Sequence, residues 1–156
     1  MKFTFTGTRG SSSECIQLSK IYFFNGATIV KPVSYENPGG KNPPSQDVAK
    51  LFVDNKNDKW LDLDFYNHGS VTVLCFGFPS AQALTEYQFL TAEDWNSRDP
   101  TSWKVEVSKA PAAAHSGVVA WEEVDKKHEF PAPEGRNTEY PTMPLNLGPK
   151  ASPGTK

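Results

Sequence analysis

The chain is poor in cysteine: only Cys15 and Cys75 occur among its 156 residues. Two thiols so far apart make no disulfide framework. Each lies in an apolar, strand-like run, where a free cysteine serves as a small buried hydrophobe. No apolar run approaches the roughly 18 residues of a membrane-spanning helix. The opening MKFTFTGTRG has no signal-peptide h-region. These absences predict a soluble, intracellular protein with no membrane span. Charge of one sign is lacking as well: 16 Lys and Arg stand against 18 Asp and Glu, a net −2. The basic residues are scattered, so no field for nucleic acid or an anionic membrane follows. Catalytic motifs are missing too. His68, His115 and His128 lie in separate loops without HExxH spacing, and no G-x-S-x-G elbow, P-loop or GxGxxG is present. A non-enzymatic protein is expected.

What the chain does have is aromatic area: ten Phe, five Tyr and four Trp. A domain of this length buries about 70% of the surface its unfolded chain exposes, so one aromatic core suffices without staples. The apolar period is that of strands. Residues 2–6 (KFTFT) and 103–107 (WKVEV) alternate, with Trp103, Val105 and Val107 sharing one face. Residues 71–78 (VTVLCFGF) form a near-continuous apolar run, the pattern of a central strand. Residues 15–24 read as one long strand, joined to 27–30 by an Asn25-Gly26 hairpin turn. Further strands are expected at 61–65, 84–91 and 118–124, with a short one inside 138–147; residues 46–52 suit a single helical turn. Trp60 and Trp121 fall within strand-like segments, which favours burial over sugar stacking. Frequent Pro and Gly and no helical period predict an all-β fold. The expected form is an antiparallel β-sandwich of about eight strands, a jelly roll with long loops. It occupies residues 1–147, with an extended polar C-terminal tail at 148–156.

Two stretches carry the candidate binding residues. Residues 31–45 (KPVSYENPGGKNPPS) form a loop of a length that is usually functional or partner-bound. Tyr35 is its contact aromatic, and Asn37, Lys41 and Asn42 can supply hydrogen bonds. The second stretch is 91–103 (TAEDWNSRDPTSW). Asp99 before Pro100 suits a turn in which the carboxylate accepts backbone N–H groups. Arg98 can reach Glu93 or Asp94, and Trp103 enters the core. Arg98, Asp99, Pro100 and Trp103 are thus read as a structural corner. Trp95 and Asn96, at the tip, are read as ligand- or partner-binding. Arg98 beside Trp95 as part of a ligand mouth is the competing reading.

Five segments, in order, resemble the discoidin-like, coagulation-factor C-type (galactose-binding-like) jelly-roll family. They are IQLSKIYFF (16–24), NPGG (37–40), VDNKNDKWLDL (53–63), YQFLTAEDWNSRDPTSWKVEVS (87–108) and RNT (136–138). The resemblance implies a largely non-catalytic module that binds glycans, lipids or proteins through loops at one end, or an accessory subunit of a large assembly. A structural or linker subunit docking into a protein assembly is the first expectation; a carbohydrate-binding module is the alternative. Such domains often hold calcium near the turn matching 54–58, partly through a glutamate in a strand reading LSEI. Here the strand reads LSKI, and Lys20 supplies no oxygen ligand. No cofactor is therefore expected. If calcium were bound, Asp54 and Asp58 would be its ligands. Lys20 can instead place its own charge near them.

Overall fold

The computed structural model describes residues 1–79, 83–108 and 120–147. The polar tail at 148–156 and the Ala- and Pro-rich loop at 109–117 lie outside them, as does the start of the strand expected from 118. The chain is all-β. Its strands are β1 (Lys2–Thr8), β2 (Ile16–Leu18), β3 (Lys20–Asn25), β4 (Thr28–Val30), β5 (Ser34–Glu36), β6 (Trp60–Asp62), β7 (Thr72–Gly77), β8 (Glu86–Leu90), β9 (Pro100–Val107), β10 (Glu122–Lys127) and β11 (Met143–Pro144). Short 3-10 turns cover Val48–Phe52, Tyr66–His68 and Asn96–Arg98. No helix among the described residues is long and apolar enough to cross a membrane.

One sheet runs β10-β9-β1-β7-β5 and a second β11-β8-β3-β4, while β2 and β6 form a separate ribbon. Every pairing is antiparallel. The core between the two sheets is aromatic. Phe3 of β1 meets Tyr87 of β8 edge-on at 5.2 Å, Phe23 meets Phe76 at 5.3 Å, and Phe89 lies 5.0 Å from Trp103. Such tilted and edge-on pairs add to area burial. Trp103 Nε1 donates to Tyr87 Oη, which donates to Asp125 Oδ2 at 2.6 Å. Burial, with the Asp125 hydrogen bond next, pushes the Tyr87 hydroxyl far above its usual range. Trp60 is fully buried as expected; Trp121 is half-buried, its ring beneath the Lys2 ammonium at 4.5 Å.

Several expectations are corrected. The long strand over 15–24 breaks at Ser19. Ser19 N donates to Leu90 O and its hydroxyl to Lys56 O, so the chain passes there from the ribbon into the sheet. The hairpin turn is centred on Gly26-Ala27, with Asn25 paired to Thr28. Gly26 has φ 60° and Ala27 is not left-handed, so positive φ falls at the first central position alone, as in a II′ turn. Residues 31–45 are not all loop: β5 pairs with β7 inside them. Strand β9 begins at Pro100, three residues before Trp103.

The registers place the loops. Thr8 pairs with Pro100, Phe5 with Thr72, Lys20 with Leu90 and Lys127 with Trp103. The segments following Thr8, Glu36, Leu90 and Lys127 therefore emerge at one end of the sandwich, together with the β2–β6 ribbon.

Candidate functional site

The ribbon bridges this end and ties down a loop on each side. On one side lies the 37–42 loop. Asn37-Pro38-Gly39-Gly40 is a turn closed by Gly40 N donating to Asn37 O at 3.1 Å, with Gly39 at φ 71°. Pro at the second position and a left-handed Gly at the third are what a type II turn requires. Asn37 Nδ2 donates to Asp62 Oδ2 (3.1 Å) and Lys41 N to Asp62 Oδ1 (3.1 Å), while Asn42 Nδ2 donates to Leu61 O (2.8 Å). Thr72 Oγ1 and Asp64 N complete four donors around the buried Asp62 carboxylate. Asn37 and Asn42 thus use their amide nitrogens to hold the loop to β6, while Asn37 Oδ1 is buried without a partner among the described residues. Lys41 keeps an exposed side chain. A cavity of about 220 Å³ lies beside Asn37, Asp62, His68 and Thr72.

Tyr35 sits apart, on edge strand β5, 42% exposed with its ring 5.5 Å from Phe52. Neither Tyr35 nor Trp95 lines that cavity.

On the other side lies the 91–99 loop, held by three sets of part-buried contacts. Lys59, entering β6, donates to Asp94 Oδ1 at 2.6 Å and pairs with Glu93 Oε1 at 3.3 Å. Gln17 Nε2 donates to Asp94 O at 2.8 Å and Trp95 O at 3.3 Å. Burial raises the pKa of the Asp94 carboxyl, yet the Lys59 and Gln17 contacts outweigh it and hold the pKa below the usual range. The third set is centred on Asp99, 0% exposed. Arg136 grips both its oxygens, Nη1 to Oδ1 at 2.9 Å and Nη2 to Oδ2, and Arg9 Nη2 reaches Oδ2 at 3.2 Å. The hydrogen bond to Asp99 raises the pKa of Arg136 further. Arg9 also donates to Ala132 O and Pro133 O, and Tyr140 Oη to Pro100 O at 2.8 Å.

The corner is real but differently built. Asp99 takes two arginines instead of backbone N–H groups, and it is extended (φ −67°, ψ 131°), as a residue before Pro should be. Arg98, expected to pair with Glu93 or Asp94, makes no ion pair with either among the described residues, though its charge acts on Asp94; both acids pair with Lys59. Its guanidinium lies over the Trp95 ring, 5.0 Å from the centroid. Trp95 is 64% exposed and left-handed (φ 39°, ψ 72°), a sparsely populated conformation for a bulky residue. Asn96 beside it is exposed. Arg9, Lys59 and Gln17 went unnoticed in the sequence. Arg136 stood in RNT without an assigned partner.

Lys20 is a further charged group of this end, 4% exposed. Its Nζ donates to the backbone oxygens of Ser19, Lys50 and Asp58, each at 2.9 Å. Burial lowers its pKa to about 8, against the pull of Asp58 and Asp54. The carbonyls beside this turn are already turned toward an ammonium. A divalent ion would meet a like charge in their midst, so the residues present do not fit calcium. Among the described residues no group of three or more His, Cys, Asp or Glu is placed to hold a metal.

Comparison with models of known protein families, with curated proteins and with solved structures finds no match for this chain.

Proposed function

We propose that this chain is a non-catalytic interaction module of the discoidin-like (galactose-binding-like) kind. In this reading it works inside the cell as a structural or linker subunit and docks a protein partner at the loop end of its sandwich. The observation that carries the reading is Trp95: a large aromatic, mostly in solvent, held in a left-handed backbone by a loop that buried ion pairs lock from below. Left-handed residues cost of order 1 kcal/mol or more and persist where surrounding structure enforces them, often at binding sites. The acids of this end are committed to structure: Asp99 to two arginines, Asp94 to Lys59, Asp62 to four donors. None of these carboxylates is left free for acid–base work, which supports a binding role over a catalytic one.

A glycan module would be expected to present aromatics around a shared cleft. Tyr35 stands on edge strand β5 and Trp95 on the 91–99 loop, and a single exposed aromatic on a fixed loop favours a protein partner instead. The test runs a glycan array beside crosslinked capture from an extract of the source cells, each with the native chain and with Trp95→Ala. The expected result is Trp95-dependent protein capture and no specific sugar. A sugar signal abolished by Trp95→Ala overturns the reading.

A further inference from the structure

Arg98 is the one arginine of the loop end whose neighbouring carboxylates are all held by other cations. Glu93 and Asp94 are paired to Lys59, and Asp99 lies between Arg9 and Arg136. Among the described residues Arg98 makes no ion pair and no side-chain hydrogen bond. Its guanidinium lies over the Trp95 ring and also acts electrostatically on Asp94. A guanidinium carries five donors in a rigid fork that suits a carboxylate, and stacking on an aromatic face leaves those in-plane donors available. Trp95 beside it offers the apolar area of an indole, 64% exposed. The pair therefore presents anion recognition and apolar contact side by side, a combination typical of the aromatic and arginine anchors that dominate protein interfaces.

We infer that Trp95 and Arg98 form one recognition site for an acidic segment of a protein partner, in which a carboxylate meets the Arg98 fork and an adjacent apolar side chain lies on Trp95. The inference rests on the interaction-module reading and names its partner's chemistry. Charge complementarity selects an acidic segment over a basic one. The exposed indole selects an apolar neighbour over a purely polar chain. The site is preorganised, because the loop beneath it is fixed by Lys59, Gln17 and Asp99. Little loop-ordering cost is then left to the moment of binding.

The probe is a random peptide library displayed on phage and selected on the intact chain. Enriched peptides are expected to carry Asp or Glu next to an aromatic or aliphatic residue. Arg98→Gln should weaken the best peptide by about tenfold or more, the range of a charge-assisted hydrogen bond. Replacing that peptide's acid by its amide should weaken it equally, and the two changes together should cost little more than either alone. Arg98→Lys, which keeps the charge but not the fork, should restore part of the loss. Trp95→Ala should remove binding, with the melting temperature showing that both variants fold. Selected peptides without an acidic residue, binding indifferent to Arg98→Gln, or no enrichment at all overturns the inference. If neutral peptides are selected and still depend on Trp95, the module reading stands and only the acidic partner falls. Binding of an acidic oligosaccharide in place of any peptide overturns both.

Discussion

Replacing Lys20 by methionine should change how the stability of this chain depends on pH, and the sign follows from where the ammonium sits. Nζ is enclosed by three backbone oxygens, and burial lowers its pKa from 10.5 to about 8. Below pH 8 both folded and unfolded chains carry the proton, and the fold bears the full cost of burying a charge. Between about pH 8 and 10.5 the folded amine gives up its proton while the unfolded one keeps it. The unfolded state then binds more protons, so stability from this residue rises with pH. The difference amounts to about 3 kcal/mol at most, since residual solvent access screens it. Other groups pull the opposite way: burial pushes Cys15, Cys75, Tyr22 and Tyr87 upward, so their unfolded forms ionise first and stability falls as alkali increases. Only the difference between the native chain and Lys20→Met isolates the lysine. Urea denaturation of both at pH 7, 8.5 and 10.5, in reductant, measures it. The native chain should gain on the variant steadily over that interval. A flat difference, or one that shrinks as pH rises, would refute the buried-ammonium account.

Two further perturbations address the loop end. Asp99→Asn leaves Arg9 and Arg136 facing one another without their shared anion, and breaking a buried pair in this way costs about 3–5 kcal/mol. Chemical denaturation should show a loss in that range, and a loss below about 1 kcal/mol would mean the corner is not what holds the 91–99 loop. Trp95→Gly relieves a left-handed backbone that Trp95→Ala retains, so the glycine variant should be the more stable of the two by about 1 kcal/mol or less. A glycine variant clearly less stable than the alanine one would show that Trp95 is not held at φ 39° in solution.

Much of the sandwich was legible in the sequence, because strand alternation is a local signal. Phe3 and Phe5 on β1, and Trp103 and Val105 on β9, are buried on the face their spacing predicts. The apolar run of β7 does lie between two neighbours, β1 and β5. What failed was local information of the wrong kind or none at all. Pro32, Pro38 and the paired glycines masked β5, whose three residues are all exposed and so show no apolar period. Ser19 looked like one polar residue inside a strand; its role as a crossing point depends on Lys56 and Leu90, far along the chain. The corner was located correctly but its chemistry was not. Asp99 finds Arg9 and Arg136 across 90 and 37 residues, and no spacing rule reaches so far. Arg98, nearest in sequence to Glu93 and Asp94, reads as their partner, but Lys59 pairs with them instead.

That misplacement carries the functional argument. Cations at the loop end are tied to its loops: Lys20 in its carbonyl cage, Lys59 on Glu93 and Asp94, and Arg9 with Arg136 on Asp99. Each is committed to a stretch of loop backbone or to its acids, and together they do for these loops what a bound ion would do. Buried pairing of this kind adds little net stability compared with apolar packing, but it specifies one arrangement of the groups involved. Here the arrangement specified is a loop whose Trp95 is turned outward against its backbone preference. Had Arg98 been needed for the corner, the tip would carry no free charge. Because Arg9 and Arg136 come from elsewhere in the chain to hold Asp99, Arg98 is left to lie over the Trp95 ring. In the proposed reading, the same interactions that fix the loop determine which of its residues remain for a partner.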